Sequence, residues 1–533
     1  MEFTTDIMAL EPTLEENLLM GQALLQSRQL EAAVEEFQAA LAKAPELAHI
    51  HLALGKIYSR KHDYEKAEEA FTNAARVDPL SAQPLLALAR LHLHRGELDK
   101  AVEGFKAALA IDTRSDAAMV GLGKIALQCD QLQEAEMQLQ KALEMVPELI
   151  EAKLPLAEVY RKARRWDDAI RLLEHVPAGS PQAPVVKPKQ ADLLLSCHRY
   201  DEARVVLERL RADYPLIIGT TGPAQLDMMT AFLATGNVEA AREAESTTTD
   251  FRRLAARQQR LKGVIQIREG DDQAAMDCFL GSWEIDEQIR ADDQQQRRWE
   301  GSEGGGFLLE NLARLQFSLD ARPVVDLQDG RIVGWEARVN WQDQLKTMIQ
   351  DQEFAKEMEG RRLSRPLGWW LMGAACRHLG STLGSDGFVC IELTKQQLLD
   401  QTLCEQMSLA AGAFQLPVSV IIPGISNDVI DWSDTAWLEN RAGMERLMIR
   451  LAVTAESAGS EQCRLVDQGN ARLLRFSCSS ILNDASMAGM LQQMHSEEVE
   501  TLAFGIETDE AVNRLREMGV KYGIGPMYSI KQP

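Results

Sequence analysis

Two sets of side chains in this sequence have the types and spacing to do chemistry. Lys56, Arg90 and Lys124 recur at intervals of 34 residues. Cations repeated on one period could grip an acidic peptide or a C-terminal carboxylate, because charge-assisted hydrogen bonds are among the stronger polar contacts. Arg60 lies one helical turn from Lys56, and His94 one turn from Arg90, so both would widen the basic line. The second set sits in Asp326–Trp341, DLQDGRIVGWEARVNW. There Glu336 offers oxygen, which hard divalent cations prefer, and Arg338 offers a guanidinium, which suits phosphate. Other chemistry is missing from the sequence. Gly301–Gly306 lacks the Lys-Ser/Thr of a phosphate loop. No Ser/His/Asp or Cys/His arrangement has a recognisable context. The eight cysteines form no CxxC pair and have no zinc spacing, so reduced thiols in a cytosolic protein are expected.

The basic line depends on a repeat that can be measured directly. Ala33, Ala67, Ala101, Ala135, Ala169 and Ala203 are each 34 residues apart. Twelve residues before each stands another small residue: Gly21, Gly55, Ala89, Gly123, Ala157 and Ala191. Pro45, Pro79, Pro147 and Pro181 fall on the same ruler, and Leu30, Tyr64, Leu98, Leu132, Trp166 and Tyr200 lie three before each alanine. This pattern resembles the tetratricopeptide repeat, a helix–turn–helix unit. Small residues allow two helices to cross closely, the aromatic fills the gap between units, and proline ends the second helix because it cannot continue the hydrogen-bond ladder. Ala241 lies 38 residues after Ala203, so an insertion is expected near Pro215–Pro223, and the ruler resumes at Ala275. The count is eight units, the last two degenerate, with a looser turn at Pro177–Pro188. The resemblance implies a concave face lined by the first helix of each unit, with Lys56, Arg60, Arg90, His94 and Lys124 as a partner-binding groove. Solvated charge is the plainer alternative, and the sign of the line reverses at Glu158 and Asp192.

Residues 291–306, ADDQQQRRWEGSEGGG, read as a glycine-rich hinge. Beyond it the chain resembles the EAL domain, which hydrolyses cyclic di-GMP. The motif QPIVDL.TGRIVGVEALLRW is echoed at Arg322–Trp341, VNLSARQL at Phe388–Asp400, and LKIDRSFV at LLRFSCSSI. The C-terminal motif is echoed by TLAFGIETDEAVNRLREMGVKYGIGPMYSIKQP. The domain reading is therefore 1–290 for the solenoid, 291–306 for the hinge and 307–533 for a degenerate EAL domain. The fold class is an all-α superhelical solenoid followed by an α/β (β/α)8 barrel with its site at the C-terminal strand ends.

The family's hydrolysis uses two metal ions held by oxygen ligands. Carried over position by position, the resemblance keeps Glu336 and Glu507. It puts Glu392 in place of an asparagine, and Ile421 and Gly424 in place of two glutamates. Arg475 and Ser477 replace a lysine and an aspartate, Phe504 replaces a glutamate, and Asn340 replaces the phosphate-holding arginine. The implication is no catalytic residue, no bound metal and no cofactor, with cyclic di-GMP only a candidate ligand. The pocket candidates are Arg322, Glu336, Arg338, Glu392, Arg475 and Glu507. Alternatively, Arg322 and Arg338 pair with Glu336 or Glu507 and fill the site with salt bridges.

A net charge of −23 disfavours a nucleic-acid polymer as partner and contact with anionic lipid. No run is long enough to span a membrane, and the N-terminus lacks a signal-peptide pattern. The expected function is a non-catalytic bacterial scaffold in the cytoplasm. Its repeats would bind protein partners, its EAL domain would bind a second partner or form a homodimer, and its role would lie in motility, pili or biofilm. The alternative is a cyclic di-GMP receptor that signals through the repeats.

Overall fold

The computed structural model describes residues 13–27, 29–176, 180–214, 223–244, 252–293, 317–341, 364–425, 434–455, 471–483, 487, 489–491, 494 and 499–528. They fall into two compact units, Met1–Gln182 and Ala183–Pro533.

The first unit consists of consecutive helix pairs. They are Leu14–Gln26 with Leu30–Lys43, Ala48–Arg60 with Tyr64–Val77, Ala82–His94 with Leu98–Ile111, Asp116–Gln128 with Leu132–Met145, and Ile150–Lys162 with Trp166–Glu174. Ala33, Ala67, Ala101, Ala135 and Ala169 are wholly buried, as the ruler requires. At the small position twelve residues earlier, the reason for glycine is visible. A Cβ on Gly55 would lie 2.4 Å from the Phe71 ring, and one on Gly21 would lie 3.0 Å from Phe37. The aromatic of one helix thus seats on the bare backbone of its pair. Tyr64 instead lies between units, its ring 5.5 Å from that of His94 in the next pair.

The ruler also appears in the backbone. His62, Gly96, Asp130, Arg164, His198, Gly236 and Gly270 all have positive φ and lie in the turns of successive pairs from Ala48–Arg60 with Tyr64–Val77 onward. A left-handed residue satisfies the last carbonyls of the first helix and reverses the chain, and glycine is not obligatory there.

The second unit opens with three further pairs: Ala183–Ser196 with Tyr200–Asp213, Pro223–Ala234 with Val238–Glu243, and Arg252–Glu269 with Asp272–Asp293. With these, eight helix pairs are present among the described residues. Pro188 corrects one expectation, because it lies inside the helix Ala183–Ser196 rather than in a looser turn. Burial of Val186, Gln190 and Ala191 holds that helix despite the lost hydrogen bond. The 291–306 hinge lies outside the described residues apart from its first three, which end the last helix.

The rest of the second unit is a closed barrel of eight strands in sequence order. They are β1 (Phe317–Asp326), β2 (Ile332–Trp341), β3 (Phe388–Glu392), β4 (Ile421–Ile425), β5 (Leu451–Thr454), β6 (Ala471–Ser477), β7 (Glu500–Phe504) and β8 (Tyr522–Ile524). β1 runs antiparallel to β2 and β8, and the other neighbours are parallel. The β1–β2 hairpin turns at Gly330, whose positive φ suits glycine. Val324, Cys390, Ile422, Ala452, Leu473, Leu502 and Tyr522 form one buried cluster across the strands. Residues two further along β3, β4, β6 and β7 share that face and reach the C-terminal end of the barrel.

The last repeats pack directly on barrel helices. Gly373, in helix Ser364–Thr382, receives Ile267, and a Cβ there would lie 2.5 Å from the Ile267 side chain. Gly412, in helix Leu403–Ala413, lies against the Leu233 and Ala234 carbonyl oxygens. Phe279 stacks on Trp369 with centroids 5.8 Å apart. Arg377 donates to Asp272 at 2.7 Å. Trp369 is therefore a packing residue toward the repeats. Trp335 also faces away from the barrel interior, donating to Thr382 at 3.0 Å.

Candidate functional site

Strands β2, β3 and β6 bring four of the six expected side chains together, Glu336, Arg338, Glu392 and Arg475. Glu336 and Arg475 are each only 2% exposed. Arg475 Nη2 donates to Glu336 Oε1. Its Nη1 lies 3.9 Å from Glu392 Oε2. Arg338, two residues beyond Glu336 and on the same face of β2, holds the carboxylate from the other side. Its Nε is 3.1 Å from Oε2, and its Nη2 donates to Oε1 at 3.4 Å. Two guanidinium groups thus share one buried carboxylate.

The neighbours make room for Arg475. Gly424 sits on β4 opposite Glu392, and a Cβ there would lie 2.9 Å from Nη1. The Phe504 ring lies 5.8 Å from the guanidinium carbon. Cys390 pairs in register with Glu336, and burial pushes its thiol up to about 12, so it adds no charge.

The remaining expectations fare differently. Arg322 lies opposite Glu336 in the β1–β2 register, yet its side chain pairs with Asp320 at 2.9 Å and is exposed. The alternative in which Arg322 neutralises Glu336 or Glu507 is corrected, because the near acid on its own strand outcompetes the buried one. Glu507 is exposed between β7 and the helix Asp509–Glu517, while Arg322 pairs with Asp320 and Arg338 with Glu336. Asn340 has a buried side-chain oxygen without a hydrogen-bond partner among the described residues. The Arg475–Glu336 contact was not read from the sequence, since the two residues are 139 positions apart and only barrel closure joins them.

The donor set does not fit a divalent ion. Both oxygens of Glu336 are engaged by guanidinium groups, and Arg475 fills the space between Glu336 and Glu392. Ile421, Gly424 and Phe504 have no side-chain oxygen. Among the described residues, no group of three His, Cys, Asp or Glu could hold a metal.

In the first unit, Lys56, Arg90 and Lys124 stand at the same position of helices Ala48–Arg60, Ala82–His94 and Asp116–Gln128, which touch in succession. Lys56, Arg60, Arg90 and His94 are exposed, and Lys124 is half-buried. Glu158, where the sign reverses, is bonded to Arg161. No helix among the described residues is long and apolar enough to cross a membrane.

The family model for the EAL domain matches residues 307–530. Tetratricopeptide repeat models match residues 18–59, 52–119 and 126–193. A curated relative, an uncharacterized protein of Synechocystis sp., is 23% identical over 232 residues, which are 42% of this chain and 33% of that protein. The match thus spans about a third of that relative. The EAL enzyme Bd1971, solved with cAMP and cyclic di-GMP bound, is 18% identical with a TM-score of 0.39, covering 42% of this chain and 64% of that one. A tetratricopeptide repeat protein from Parabacteroides merdae is 17% identical with a TM-score of 0.34, covering 57% of this chain and 98% of that one.

Proposed function

The chain carries tetratricopeptide repeats and an EAL domain, and from that premise we propose that it is a non-catalytic adaptor in cyclic di-GMP-related signalling. Repeats of this kind commonly bind proteins, and the partner would dock on the Lys56–Arg90–Lys124 line of the first unit. The barrel would serve as a second protein-binding module. The observation that supports this reading is Arg475, whose buried guanidinium engages Glu336, the carboxylate that the resemblance would give to a metal. A catalytic metal would have to displace it and leave a buried charge unpaired, which is strongly unfavourable. The adaptor is placed in the cytoplasm, acting in motility, pilus or biofilm control.

One observation favours a second reading, a receptor that binds cyclic di-GMP without cleaving it. Arg475 Nε and Nη1 have no hydrogen-bond partner among the described residues, and a phosphate oxygen would satisfy them. Against it, Arg338 turns onto Glu336 rather than into open space. Calorimetric titration of cyclic di-GMP into the full chain, with and without Mg²⁺, separates the readings. Neither binding nor linear product supports the adaptor. Binding without product supports the receptor, and product formation overturns both.

A further inference from the structure

We infer that Arg475 is the barrel's resident cation, a guanidinium that takes the place of a divalent ion between Glu336 and Glu392 and makes that end of the barrel independent of metal. This rests on reading the barrel as non-catalytic, and it makes a separate claim about what holds the fold together. Three features support it beyond the ion pair. Gly424 leaves the volume that Nη1 fills, since even a methyl group there would lie 2.9 Å from it. Phe504 presents its ring to the guanidinium, a cation–π contact at 5.8 Å. Charge also balances locally, with Glu336 and Glu392 against Arg475 and Arg338. A divalent ion entering this group would meet no net negative charge and two cations already in place. Removing Arg475 alone would leave two carboxylates against one guanidinium, and space beside them of the size the guanidinium filled. Hard cations favour such oxygen-lined space.

The test is thermal unfolding of the full chain in EDTA and in Mn²⁺. The parent should melt at the same temperature in both. Arg475→Ala should melt lower in EDTA by roughly 10 °C and regain part of that loss in Mn²⁺. The double variant Glu336→Gln with Arg475→Ala should lose the Mn²⁺ response. If Arg475→Ala fails to fold, Arg475→Lys supplies the test: one charge without the bridging fork should melt below the parent and show no Mn²⁺ response. The inference is overturned if Mn²⁺ raises the parent's midpoint and Glu336→Gln abolishes that rise. It is equally overturned if Arg475→Ala or Arg475→Lys melts with the parent. Cyclic di-GMP turnover by the parent would sink the adaptor reading and this inference together, whereas binding without turnover by a parent indifferent to Mn²⁺ in melting would sink the adaptor reading alone.

Discussion

Arg475 on β6 donates to Glu336 on β2, and both side chains are closed off from solvent. Paired, such charges contribute little net stability, but separating them is costly, because Arg475 without Glu336 loses its buried counter-charge and Glu336 without Arg475 keeps only Arg338. Glu336→Gln should therefore destabilise the second unit by about 3–5 kcal/mol, and Arg475→Met by less, because Arg338 still pairs with Glu336. The double variant should lose less than the sum of the two singles. Chemical denaturation of the three variants closes this double-mutant cycle, and strict additivity would mean that the pair does not couple.

The packing of the last repeats on the barrel makes a second prediction. A Cβ at Gly412 would lie 2.2 Å from the Leu233 carbonyl oxygen and 2.6 Å from that of Ala234. These are backbone atoms that cannot rotate aside. Gly412→Ala should cost roughly 1–3 kcal/mol, read from the denaturation midpoint of the full chain. An unchanged midpoint would mean that the repeats and barrel do not pack this closely in solution.

His198 supplies a pH dependence. Burial, with the charge of Arg446 adding to it, lowers its pKa from 6.5 to about 4, and its Nδ1 lies 3.0 Å from the Tyr200 hydroxyl. The folded state therefore resists the proton that the unfolded chain accepts. Above the unfolded value both states are neutral and the residue has no effect. As pH falls from about 6.5 to about 4, the unfolded state gains the proton first and stability drops by at most about 3 kcal/mol. His198→Gln should flatten that part of the stability profile relative to the parent. Parallel profiles would contradict the assignment.

The line of cations in the first unit predicts separation of binding from folding. Lys56, Arg60 and Arg90 are exposed, so reversing these three to Glu should change stability by only about 0.5 kcal/mol per site. Affinity for a labelled acidic peptide with a free C-terminal carboxylate should fall roughly tenfold or more, and the parent's affinity should weaken with salt. Equal anisotropy titrations for parent and variant would assign the line to solvated charge.

The solenoid was legible because its signal is periodic. One alanine every 34 residues repeats the same buried crossing, and each repeat confirms the phase of the last. The β1–β2 hairpin was legible from Asp329-Gly330 for a local reason, since the turn needs a left-handed residue. The centre of the site was not, because Glu336, Glu392, Gly424 and Arg475 come from four strands that only closure of the sheet makes neighbours. The sequence supplied the residue types, and it offered both Arg338, just after Glu336, and Arg322, in the strand before it, as partners. Only geometry decides that Arg338 turns inward while Arg322 turns to Asp320. The close seating of repeats on the barrel was invisible for a related reason: Gly373 and Gly412 read as ordinary helix glycines until Ile267 and Leu233 are placed against them.

The most direct test of the central claim is to incubate the purified full chain with cyclic di-GMP and Mg²⁺ or Mn²⁺ and to follow the linear dinucleotide product. With Arg475 between Glu336 and Glu392, no product should form above the buffer rate in either metal. Metal-dependent product that disappears in Glu336→Gln would contradict the account, because Glu336 would then be a working ligand rather than the partner of Arg475.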